Sequence, residues 1–122
     1  MSESNKQVRW VGSSKKDLSS WPGRVCDTIG YALYLAQIGQ KHPQSKPLQG
    51  FGGAGVLEVV EDFRGNAYRA VYTITFKHAV YVLHCFQKKS KKGIQTPMQE
   101  VDLIRQRLSA AQAHASKTES IK

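Results

Sequence analysis

From Pro22 to Ile38, apolar residues return every three or four positions: Val25, Ile29, Ala32, Leu33 and Ala36, widened by Tyr31, Leu35 and Ile38. That period is one face of an amphipathic helix. Pro22 suits its first turn, where a missing N–H costs nothing, and Gly39 is its stop. Ahead of it, Val8–Val11 reads as a short strand. Ser13-Ser14 opens a helical turn that ends near Trp21, so the first two helices form a hairpin with one apolar face. The pattern changes to that of strands over Val56–Asp62, Ala67–Phe76 and Val80–Gln87, runs dominated by Val, Ile, Thr, Tyr and Phe. Their links, Arg64-Gly65-Asn66 and Lys77-His78-Ala79, are short enough to make antiparallel neighbours of a meander.

Thr96-Pro97-Met98-Gln99 has the chemistry of a helix start, with Thr96 as N-cap, Pro97 at the first position and Gln99 closing a capping box. Met98, Val101, Ile104, Leu108 and Ala111 then form one stripe. The predicted class is α+β in the order β-α-α-β-β-β-α. A small, twisted, mostly antiparallel sheet packs against an N-terminal helical hairpin and a C-terminal helix. A single domain is expected over residues 1–122, with flexible tails at 1–7 and 115–122. The Gly-rich stretch Phe51–Gly55 matches neither a Walker loop nor a dinucleotide fingerprint and reads as a flexible lead-in to a strand.

Charge changes this picture. The chain carries a formal net charge of +9. Between Phe63 and Gln99 lie Arg64, Arg69, Lys77, Lys88, Lys89, Lys91 and Lys92, without one Asp or Glu. Cations lacking local counter-charges gain most by meeting a polyanion. Tyr68, Tyr72, Phe76, Tyr81 and Phe86 are interleaved with them, and aromatic rings suit unpaired bases. RNA is the partner class this favours. Cys26 and Cys85 sit far apart in apolar runs with no CxxC neighbour, which suits reduced, buried thiols in a cytoplasmic protein. No apolar run approaches the roughly 20 residues of a membrane span.

Several side chains are candidates for chemistry on a phosphodiester. Arg69 lies inside an apolar strand, where a guanidinium needs an anionic partner. Its fork can hold two phosphate oxygens, and Glu58 or Glu61 on the neighbouring strand can pair with it instead. Lys88 and Lys89 leave the last strand where contact with a scissile phosphate is feasible, and crowding of cations can turn one lysine into an acid or base. Lys91, Lys92 and Arg64 suit flanking backbone, and Phe86 a stacked base. Tyr72 is a candidate for orienting a 2′-OH, although strand alternation puts it on the opposite face from Arg69. The same alternation groups His84 with Phe86 and Lys88, beside Val80 and Val82. His42, His78, His84 and His114 are scattered and form no metal-ligand pattern.

Six stretches, in order, resemble the RelE/ParE superfamily of bacterial toxins, and more closely its HigB-like, phage-derived branch. They are Trp10–Leu18, Gly30–Leu33, Lys46-Pro47-Leu48 with Gly50, Val56–Val59, Tyr68–Tyr72 and Phe86–Ser90. The resemblance implies a RelE-like fold and the toxin of a type II toxin–antitoxin system. It implies a ribosome-dependent, metal-independent mRNA endonuclease that inhibits translation without a cofactor. Arg69, Lys88, Lys89 and Tyr72 would then be catalytic, with Arg64, Phe86, Lys91 and Lys92 binding RNA. The implied partners are mRNA on the ribosome and a cognate helix-turn-helix, HigA-like antitoxin. Two alternatives stay open: a gyrase poison of ParE type, and a non-catalytic RNA-binding regulatory module.

Overall fold

The computed structural model describes residues 5–89 and 96–119. The elements run β1 (Gln7–Trp10), α1 (Ser14–Ser19), α2 (Gly23–Gln37), β2 (Ser45–Pro47), β3 (Val56–Phe63), β4 (Asn66–Thr73), β5 (Ala79–Lys89) and α3 (Met98–Glu119). This is the expected order with one addition, the three-residue β2. The strands form one sheet in the order β1-β5-β4-β3-β2. β1 runs parallel to β5, and every other pairing is antiparallel.

Both faces of the sheet are covered. Val25, Ile29, Ala32, Leu33 and Ala36 of α2 pack on Leu57, Val59, Tyr68, Ala70, Tyr72, Val80, Val82 and Cys85. On the other face, Ile104, Leu108, Ala111 and Ala115 of α3 meet Val56, Val71, Ala79, Tyr81, Leu83 and Phe86, with Leu48 and Phe51 sealing one end. The nearly continuous apolar runs in β3 and β5 follow from this, because a strand buried on both sides has no face to give to water. Phe51 is thus a core residue, and the glycines around it make the turns that bring it inward. The tail expected from residue 115 is helical through Glu119, held by the buried Ala115.

Local chemistry explains the element boundaries. Pro22 lies just outside α2, with its carbonyl accepting from the Cys26 N–H, one residue earlier than anticipated. At the far end Gly39 has φ +82°. The Gln40 N–H reaches the Leu35 carbonyl at 2.7 Å and the Gly39 N–H reaches Ala36. That pair of bonds is a Schellman motif, in which glycine takes the left-handed position at no steric cost. Arg64 (φ 53°) and Gly65 (φ 82°) form the tight turn between β3 and β4, closing the pair Phe63–Asn66.

β5 carries the irregularity that matters most. Val71 pairs with His84 but Tyr72 pairs with Val82, so Leu83 is an extra residue. Such a bulge reverses the alternation beyond it. Leu83 and His84 consequently both face α3, while Val80 and Val82 face α2. The expected grouping of His84 with Val80 and Val82 fails for this reason.

Two buried groups yield predictions. The Tyr72 ring is fully buried, with its hydroxyl 2.7 Å from that of Ser45 on β2. Tyr72→Phe leaves the buried Ser45 hydroxyl without this partner and is expected to cost about 1–3 kcal/mol, read as a lower urea midpoint at unchanged slope. Burial, reinforced by the charge of Asp17, pushes the Cys85 thiol up from 9.0 to about 12. The folded state therefore favours the neutral thiol. Its contribution is intact below the unfolded value and is lost as pH climbs toward the folded one, up to about 4 kcal/mol over that window. Denaturation curves at rising alkaline pH should weaken the native protein more steeply than Cys85→Ala.

Candidate functional site

The end of the sheet where β3 and β4 turn and β5 runs out supplies the polar residues of the α3 face. Arg69 sits mid-strand on β4, between Val60 of β3 and Phe86 of β5. Its Nη1 donates to Glu58 Oε2 at 3.0 Å, with side chains only 13% and 4% exposed. A buried guanidinium without a carboxylate would be prohibitively desolvated, so the pair is obligatory when no other anion is present. Thr96 Oγ1 donates to the same Glu58 oxygen at 3.1 Å. Arg69 Nε is buried and has no hydrogen-bond partner among the described residues. One donor of the fork is thus committed to Glu58, while Nε is sealed from solvent and unused.

Thr96 departs from its expected role. The Glu100 and Val101 N–H groups both donate to the Pro97 carbonyl, so Pro97 itself caps α3. The Thr96 hydroxyl is spent on Glu58 instead of a helix N–H, and the capping box with Gln99 does not form.

A second cluster adjoins the first through β5. His84 Nε2 lies 2.6 Å from Glu100 Oε1 in the first turn of α3. On the other side of the ring, Arg107 Nη1 lies 3.3 Å from Nδ1 and donates to the Leu83 carbonyl at 3.0 Å. A guanidinium has donors only, so Nδ1 carries the lone pair and the imidazole proton sits on Nε2, aimed at Glu100. Arg107 also donates to Ser13, whose hydroxyl donates to Asp17 at 2.8 Å. The chain passes close to Gly12 (φ 58°), where a Cβ would collide with the Arg107 guanidinium. Phe86 stacks on His84 with ring centroids 4.8 Å apart. It thereby forms the floor between the two clusters.

The structure brings some expected residues together and separates others. Arg69, Phe86 and Lys88 share the α3 face, Lys88 lying opposite Ala67 and partly exposed. Arg64 is exposed at the β3–β4 tip, at the same end of the sheet, its guanidinium 5.1 Å from the Phe63 ring centre. Lys89 pairs its backbone with Asn66. Its side chain, like Lys91 and Lys92, lies outside the described residues.

Two assignments are corrected. Tyr72 cannot orient a ribose: it points into the α2-side core, and burial raises its phenol above its ordinary range against the opposing Ser45 hydrogen bond. Phe86 is packed under α3 at 8% exposure and is no open stacking platform. Sequence reasoning missed Thr96, Glu100 and Arg107. Glu100 left one trace, as the first acid after the acid-free window and a first-turn residue of a predicted helix.

Arg69, Lys88, His84, Glu58 and Glu100 can together bind an anionic group, neutralise added negative charge and move protons. Among solved structures, the toxin–antitoxin complex RelBE2 of Mycobacterium tuberculosis is similar to the chain at 22% identity. That match covers 73% of this chain and 98% of that one, with a TM-score of 0.44. No curated protein is significantly similar. The profile of the phage-derived Gp49-like proteins (DUF891) matches residues 16–109, from α1 well into α3, a span that includes Glu58, Arg69, His84 and Glu100. The chain belongs to this phage-derived Gp49-like family.

Proposed function

We propose that the protein is the toxin of a type II toxin–antitoxin system and acts as a metal-independent, ribosome-dependent mRNA endonuclease. The observation that carries this reading is Arg69, a guanidinium in mid-strand on the α3 face, held on the buried carboxylate of Glu58 with 13% of its side chain open to solvent. A phosphate arriving there meets a positive charge already fixed in place by Glu58, the kind of preorganisation that stabilises charge building on the phosphorane. Lys88 on the same face supplies a second positive charge, and Arg64 at the sheet end an exposed one. Lys89, Lys91 and Lys92 belong to the same basic run in the sequence and are assigned to flanking backbone.

The order of motifs shared with RelE/ParE toxins supports mRNA on the ribosome as the target and a helix-turn-helix antitoxin as the cellular control. The convergence of carboxylates, imidazole and cations on one sheet face favours cutting over gyrase poisoning, which needs a protein-facing surface, and over passive RNA binding. On this reading the protein works in the cytoplasm. Among the described residues, no helix is long and apolar enough to cross a membrane.

Arg69→Ala and Arg69→Lys test the clamp. Lysine keeps a charge for Glu58 but lacks the two-pronged geometry. Both variants should cut about 10²–10³-fold more slowly, enough to restore growth under induced expression. Mapping of mRNA 5′ ends after a pulse of the native protein should reveal new ends that neither variant makes. Full toxicity of folded Arg69→Ala would remove the clamp, and intact mRNA alongside broken DNA would move the target to a topoisomerase. Glu58→Ala should instead act on the fold, lowering stability by about 3–5 kcal/mol because it strands the guanidinium.

A further inference from the structure

Building on the nuclease reading, we infer that Glu100 is the general base that removes the 2′-hydroxyl proton. The site holds two carboxylates, and their surroundings separate their roles. Glu58 is 4% exposed, and both Arg69 and Thr96 donate to its Oε2. It is committed to holding the clamp. Glu100 is 23% exposed, and only its Oε1 is engaged, by His84. Its Oε2 has no hydrogen bond among the described residues.

The chain Arg107–His84–Glu100 fixes that arrangement. Arg107 keeps the imidazole proton on Nε2, and Nε2–H anchors Oε1, so the carboxylate is held from behind while its second oxygen stays open. His84 is a positioning residue here, with both ring nitrogens occupied. Register places His84, and with it Glu100, close to Arg69. Arg69 pairs with Phe86 and Val71 with His84, which makes Arg69 and His84 diagonal neighbours about 7–8 Å apart at the backbone. Glu100 follows Thr96 by one helical turn, and Thr96 already touches the partner of Arg69.

The reaction balances within the chain's own groups. The O2′–H bond breaks and its proton goes to Glu100 Oε2. O2′ forms a bond to phosphorus, and the P–O5′ bond breaks with its electron pair leaving on O5′. That oxygen takes a proton from the Lys88 ammonium. The products are a 2′,3′-cyclic phosphate and a free 5′-hydroxyl, and solvent returns both side chains to their starting states.

The test is single-turnover cleavage of end-labelled mRNA on programmed bacterial ribosomes, with affinity measured on the same complex carrying a 2′-deoxy nucleotide at the cut. Glu100→Gln keeps an oxygen for His84 and should bind equally well while cutting about 10²–10⁴-fold more slowly. Glu100→Ala should show the same loss and recover part of it in added acetate, which a packing role would not produce. His84→Ala should lower the rate at unchanged affinity, and His84→Gln, which retains an N–H toward Oε1, should regain part of it. Cleavage by Glu100→Gln within threefold of the native rate, with Arg69→Lys inactive, overturns this assignment and leaves the nuclease intact. Lost affinity in Glu100→Gln, or an Ala variant indifferent to acetate, also overturns it. If the native protein cuts nothing, the nuclease reading and the base fall together.

Discussion

A guanidinium in the centre of a sheet that is covered on both faces has to be answered by a carboxylate. The pairing of Arg69 with Glu58 is the constraint around which this end of the molecule is arranged. As a source of stability it is a poor choice. Two ions withdrawn from water lose solvation that their mutual attraction barely returns, and an apolar pair would fill the same space at equal or lower cost. The geometry also stops short of satisfying the arginine, since Nε is sealed and idle. A group placed at such cost and left incompletely bonded is not accounted for by stability, and the proposed anion-binding role acts through the 13% of the side chain that stays open.

The neighbouring features follow from that placement. Thr96 forgoes its helix cap to bond Glu58, which ties the beginning of α3 to the ion pair. The Leu83 bulge turns His84 toward α3, where Glu100 and Arg107 occupy its two nitrogens. Without the extra residue, His84 would point into the apolar α2 side among Val80 and Val82, and neither contact would exist. One inserted position therefore decides whether the imidazole belongs to the core or to the site. The same helix does both jobs along its length. Its first turn faces the polar cluster, and Ile104 to Ala115 close the apolar remainder of the face.

How much of this was legible depends on the range of the interaction. Gly39, the Arg64-Gly65 turn and the α2 stripe are local, and their residues announce them. Opposite faces for Arg69 and Tyr72 also follow from alternation alone, and the fully buried Tyr72 agrees. The bulge left no comparable signal, because Leu83 is as good a strand residue as its neighbours. β2 is only three residues long and is defined by pairing with β3, not by its composition. Thr96 misled because a hydroxyl before a helix ordinarily caps it, and the competing acceptor, Glu58, lies 38 residues away. Glu100 was missed for the same reason: its partner is on another element.

The distribution of charge also assigns different work to different depths. Exposed cations such as Arg64 act over roughly a Debye length of about 8 Å, so they gather a polyanion without fixing its position. On the nuclease reading the requirement reverses beside Arg69, since a free carboxylate there would repel a phosphate. The fold meets it by placing Glu58 under Arg69 and Thr96, which mask its charge. Glu100 is backed by His84 and, behind it, by Arg107. A chain of net charge +9 can thus hold acids beside Arg69 without losing the pull on polyanions that its cations provide. On the proposed reading, an RNA strand drawn in by the rim meets the open oxygen of Glu100 where a proton has to be removed.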